Sequence, residues 1–155
     1  MTSEKIPPEQ YLLEMAVQNL EYCRHYENQR MGVASSAIPL VAILLAVIAI
    51  DQALTRLDLI PSLFIVIIGL HGILMSLRYE ERFDFHYSRF RILRDELDEK
   101  LEVSVQSLNQ IADRAHFAEF PRVSKLKLRY LWSGLHTTVV VIGVTLFMVS
   151  IMADK

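Results

Sequence analysis

Three runs of this chain, residues 31–50, 59–77 and 131–153, contain no Asp, Glu, Lys or Arg. They are 20, 19 and 23 residues long. A helix needs about 20 apolar residues to cross the hydrocarbon core of a bilayer, so each run is long enough to span it. A core helix of a soluble domain rarely goes two turns without a charge. The expected fold is therefore an all-α membrane protein with three transmembrane helices, organised as a single membrane domain over residues 1–155.

Charge is concentrated between the runs. The segments 1–30 and 78–130 hold 14 of the 16 basic residues, the 51–58 turn holds only Arg56, and the C-terminal tail only Lys155. The positive-inside rule then places both long polar segments in the cytoplasm and the C-terminus outside. The first thirty residues are polar and acidic and include Pro7-Pro8. They lack the basic start and early apolar core of a signal peptide, so the first span is expected to be an uncleaved anchor. The net charge of −2 gives no sign of a nucleic-acid partner, and the single cysteine, Cys23, rules out a disulfide framework within the chain.

The polar segments read as helices. In 8–30, Pro8 suits a first turn, and Tyr11, Met15, Tyr22 and Tyr26 share one stripe beside Leu12 and Cys23. This helix is expected to run straight into the first span. In 78–118, Phe83, Phe90, Leu93, Leu97, Leu101, Val105, Leu108 and Ile111 recur at helical spacing. Glu96 and Lys100 form a favourable i,i+4 pair on the other face. One straight helix over those 41 residues would extend about 60 Å. The twelve residues 119–130 span at most about 41 Å when extended. The segment must therefore break, tilt strongly or fold back. The stretch VSVQSLN at 103–109 has the weakest helix propensity. A helical hairpin turning within 102–109 is expected, its arms packed against the N-terminal helix as a cytoplasmic helical bundle. Arg89, Arg91 and Arg94 are candidates to pair with the acidic face of that helix.

Several polar groups fall inside the spans. His71 lies seven residues before Arg78 and His136 seven residues after Arg129, each about 10 Å below the inner charged collar. Ser35 and Ser36 follow Arg30 closely, and Thr137 and Thr138 follow His136. Ser35, Ser36, His71, His136, Thr137 and Thr138 thus form a polar layer in the cytoplasmic leaflet. Such groups are costly against lipid and should face protein or water. They serve either to hold the helices together by hydrogen bonds or to line a pore. Gly32/Ser36 and Gly134/Thr138 are small pairs at four-residue spacing, which permit close helix contact. Pro39 sits mid-span and is a candidate hinge.

At the inner interface, Arg78, Arg82, His86, Arg122, Lys125, Lys127, Arg129 and Trp132 are candidate anchors. The run 122–129 carries four basic residues and no acid, the pattern that touches anionic lipid heads. Asp84 and His86 are two residues apart and point to different helix faces, a poor chelate. No Gly-rich phosphate loop, GxSxG, HExxH or paired-cysteine motif is present. Neither enzymatic activity nor a cofactor or metal is expected. An Arg-x6-His spacing from Arg129 to His136 matches that of HEPN-type ribonucleases, but it straddles the membrane boundary with its histidine in lipid.

The order is a short helix, a tight two-span hairpin, then the stretch LRYEERFDFHYSRFRILRDELDEKL at 77–101. Over about residues 10–118 this resembles the SLATT class of small bacterial membrane effectors, with a third span added. The resemblance implies a bacterial inner-membrane location and a link to nucleotide-signalling and antiviral defence systems. It also implies action by oligomerisation and membrane permeabilisation. Three spans are too few to enclose a water path in one chain, so conduction would require a homo-oligomer, most simply a cyclic one. Two readings stay open. One is an oligomeric pore or ion channel triggered through its cytoplasmic helices. The other is a non-conducting anchor or regulatory subunit holding a protein partner through residues 8–30 and 78–118.

Overall fold

The computed structural model describes residues 7–50, 54–102, 104–121 and 128–153, apart from the side chain of Arg129. The order is α1 (Pro8–Ala49), a short 3-10 turn (Arg56–Asp58), α2 (Leu59–Lys100), α3 (Val105–Glu119) and α4 (Leu128–Met152), with no strand among the described residues. Three of these elements hold stretches long and apolar enough to cross a membrane, so the chain is a multi-pass membrane protein.

Two compact units divide the chain. The spanning unit is Asn28–Glu80 with Leu128–Lys155, and the polar unit is Met1–Glu27 with Glu81–Lys127. The boundaries fall inside α1 and α2, and each of these helices is continuous through its whole range. Pro39 is exposed within α1 and does not end it. Its ring removes one backbone donor and so frees the Ser35 carbonyl.

In the spanning unit the buried positions alternate at three and four residues on every helix. They are Arg30, Ala34, Ala37, Val41, Leu44 and Ile48 on α1, Ser62, Ile65, Gly69, Gly72 and Ser76 on α2, and His136, Val139, Gly143, Leu146 and Ser150 on α4, Leu44 and Leu146 being partly buried. That spacing keeps a seam facing its neighbours in left-handed helix packing. Most of the seam is Ala, Gly, Ser or His, while Ile43, Leu70, Leu74 and Ile60 point outward. Close approach explains the choice. A methyl group built on Gly143 would lie 2.8 Å from the Val66 backbone nitrogen, and one on Gly72 would run into the His136 ring. Small residues let helix backbones meet where lipid supplies no hydrophobic drive. Val41, Ile48, Ile65 and Val139 form the apolar middle of the seam. At one end the Arg56–Asp58 turn packs against α4. Its entry is fixed by Asp58, whose carboxylate accepts from the Thr55 backbone N–H at 2.7 Å and hydroxyl at 3.1 Å.

In the polar unit α2 ends at Lys100 and α3 begins at Val105. Glu102 adopts φ 52°, the left-handed conformation that stops a helix. Ser104 then caps α3 by accepting from the Ser107 N–H at 3.3 Å, and Asp98 of α2 accepts from the Gln106 N–H at 3.2 Å. Beyond this turn the structure departs from the bundle anticipated for the segment. Every residue of α3 is exposed, so the return arm buries nothing against the N-terminal part of α1. Its large apolar residues, Val105, Leu108, Ile111 and Phe117, all stay exposed.

Candidate functional site

The polar groups of the spanning unit do not share one surface. His136 is 1% exposed and packs against Gly72 between α2 and α4. Neither of its ring nitrogens has a hydrogen-bond partner among the described residues. The Oγ atoms of Ser62, Ser76 and Ser150 and the Nε of Arg30 are buried in the same condition. Orphaned polar groups are costly in low dielectric and rare in native interiors. Here they concentrate on the seam that holds the three helices together.

Ser36 and His71, by contrast, come together at an open groove between α1 and α2. Its volume is about 570 Å³, within the range of small-molecule sites. Gln29 and Gly32 lie toward the polar end with His71 and Ser36, and Leu40, Ile67 and Ile68 toward the apolar end. Gly32 has no atom within 4 Å of where a side chain would begin. The same is true of Gly134 on α4, whereas Gly69, Gly72 and Gly143 are all filled by a neighbouring helix.

Ser35, Thr137 and Thr138 are exposed and separate from the groove lining. Thr137 donates to the Ser133 carbonyl at 2.7 Å and Thr138 to the Gly134 carbonyl at 3.0 Å. Ser36 donates to the Gly32 carbonyl at 2.9 Å. These hydroxyls are satisfied by their own helices and tolerate lipid without a partner. That signal was present in the sequence, since any span Ser or Thr can bond back four residues.

The interface residues fall into both units. Arg78 is exposed and Trp132 half-buried in the spanning unit. Arg122, Lys125 and Lys127 lie outside the described residues, and Arg129 is in α4 with its side chain outside them. Arg82 and His86 belong to the polar unit, where His86 is the centre of a side-chain cluster and more than an interface anchor. The His86 ring lies 4.7 Å from that of Tyr22 and 5.7 Å from that of Tyr26. Its Nδ1 is 3.0 Å from Asn19 Oδ1. Asn19 is buried and its Nδ2 donates to the Met15 carbonyl at 2.8 Å, which orients the amide. The Asn19 oxygen must therefore accept, and Nδ1 of His86 must carry the proton. Burial, then the positive charges of Arg89 and Arg82, hold the His86 pKa below its ordinary value.

Cys23 packs in the same unit, with Sγ 3.7 Å from the Phe83 carbonyl. Burial, then Glu27 and Asp84, push its thiol pKa up. It is a packing residue with little thiolate character. Arg89 lies over the Phe85 ring at 5.4 Å, and Arg94 over Phe90 at 5.9 Å while pairing with Asp95 at 2.7 Å. Those short intrahelical reaches replace the anticipated pairing of both arginines with α1. Glu96 and Lys100 do pair, at 3.6 Å. No group of three or more potential metal ligands occurs among the described residues.

Scans against protein-family models, curated proteins and solved structures each found no match for this chain.

Proposed function

We propose that this protein is the protomer of a non-enzymatic, oligomeric membrane effector that permeabilises the bilayer when its polar helices are engaged. The bacterial inner membrane, the antiviral setting and the cytoplasmic side for the polar unit follow from the SLATT resemblance and the distribution of basic residues. The observation that carries the reading is the split among the glycines. Three are occupied within the protomer, and Gly32 and Gly134 face nothing. A helix glycine costs about 1 kcal/mol relative to alanine, and in membranes its usual return is close approach of another helix. A neighbour copy seated on Gly32/Ser36 and Gly134/Thr138 would supply that approach. Repetition of one such head-to-tail contact closes a ring. The Ser36–His71 groove would then lie at the subunit junction or on the axis, where its polar end meets water rather than lipid.

The test combines cross-linking and leakage in cells. Gly32→Cys with Gly134→Cys, in a Cys23→Ser background, should cross-link between copies in native membranes. Ser36→Ala/His71→Leu should reduce dye leakage on expression. Absence of any intermolecular cross-link, with leakage unchanged in the double variant, removes the pore reading.

A second reading is a non-conducting anchor for a protein partner. It is favoured by the ordered Asn19–His86–Tyr22 cluster, in a unit where Tyr11, Phe85 and Ile92 stay exposed. It predicts partner capture that is lost when residues 8–27 are deleted, and no leakage.

A further inference from the structure

Helix α3 is amphipathic and wholly uncovered. Leu108, Ile111, Ala112 and Ala115 share one stripe, while Gln106 and Asp113 lie on the opposite side. Leu108 is 62% and Ile111 63% exposed. Among the described residues, no other helix carries an apolar stripe without burying some residue. We propose that α3 lies in the bilayer surface, with its Leu108–Ile111 stripe among the upper acyl chains.

Three observations select lipid as the occupant. The chain is a multi-pass membrane protein, so a bilayer is always at hand. Only residues 120–127 separate α3 from α4, a tether of at most about 27 Å when extended. Within that tether, and at the start of α4, stand Arg122, Lys125, Lys127 and Arg129 without a single acid. Basic residues near an anionic surface are drawn toward it. A helix of this kind rests with its apolar face about 5–10 Å into the headgroup boundary. The turn before α3 suits that role, since Ser104 and Asp98 satisfy two of its first-turn N–H groups without drawing its apolar stripe into a protein core. This inference needs membrane residence but not pore formation, so either can fail without the other.

The full chain in vesicles tests it. An environment-sensitive dye is placed at Ile111→Cys or, as a control, at Asp113→Cys, both in the Cys23→Ser background. The vesicles contain zwitterionic phospholipid with a minor share of phosphatidylglycerol. The Ile111 dye should be quenched at least about two-fold more by shallow acyl-chain nitroxide lipid than the Asp113 dye, and the order should reverse with aqueous iodide. Equal iodide access at both positions would overturn the proposal, because α3 would then stand in water. Shielding of the Ile111 dye from both quenchers would also overturn it, because a protein surface of this chain or a second copy would then cover the stripe. Circular dichroism of each labelled chain confirms that the helices persist.

Discussion

The spanning unit and the polar unit use buried polar groups in opposite ways. In the polar unit, buried Asn19 uses both ends of its amide, donating to the Met15 carbonyl and accepting from His86. In the spanning unit, His136, Ser62, Ser76 and Ser150 are at least as deeply buried, yet their side-chain polar atoms have no partner among the described residues. The two units also differ in what they turn outward. The spanning seam is narrow and small, with Ile, Leu and Phe facing away, as suits a lipid solvent no less apolar than the seam itself. The polar unit instead sets the Tyr22 and Tyr26 rings against His86. The difference teaches that backbone proximity holds the spanning unit, and that specific side-chain contacts hold the polar unit.

The largest effect should come from breaking that proximity. Gly143→Val meets the Val66 backbone, which cannot move aside, so it should cost about 3 kcal/mol in unfolding from detergent micelles. Gly134→Val, on an open face, should leave protomer stability within about 0.5 kcal/mol. Equal losses would erase the distinction between filled and open glycines.

Next comes the satisfied amide. Asn19→Leu leaves the Nδ1–H of half-buried His86 without its acceptor, and a loss of about 1–2 kcal/mol in chemical denaturation is expected. His136→Leu should be the counter-case. It removes two partnerless nitrogens and keeps volume, so its effect should lie within about 1 kcal/mol of zero or be stabilising. A large loss on His136→Leu would mean that His136 has a partner in the assembled protein.

The pH response should belong to the polar unit. The unfolded His86 pKa is near 6.5, and the folded value lies lower. Between the two, the unfolded chain binds a proton that the folded chain refuses. His86 therefore contributes fully above the unfolded pKa, and stability falls as pH drops through about 6.5 toward the folded value. Thermal unfolding of wild type against His86→Gln at pH 7.5 and 5.5 checks this, with a smaller pH dependence expected in the variant.

The smallest effect is reserved for Lys100→Ala. Its pair with Glu96 is solvent-exposed, and loss of the pair should change stability by about 0.3 kcal/mol or less.

How far these features were legible depends on which property carried them. The three spans announce themselves by the lack of charge in 31–50, 59–77 and 131–153, because transfer of a charge into hydrocarbon is costly wherever it points. The weak helix propensity of 103–109 placed the break only at its edge, since Glu102 and Ser104 interrupt the helix while residues 105–109 are helical. Composition could not say which face of a uniformly apolar helix turns inward. Depth put Ser35, Ser36, His71, His136, Thr137 and Thr138 in one layer, but rotation about each helix axis scattered them. His136 went to the seam, Ser36 and His71 to the groove, and the two threonines to carbonyls of their own helix. The tautomer of His86 is a further case, since it rests on Asn19, a residue 67 positions away. Local composition alone thus determined how many times this protein enters a bilayer and where its charge must sit. Tertiary structure decided which glycines are filled, which histidine is buried and which helix is left uncovered, because those follow from the rotation and register of packed helices, to which hydropathy is blind.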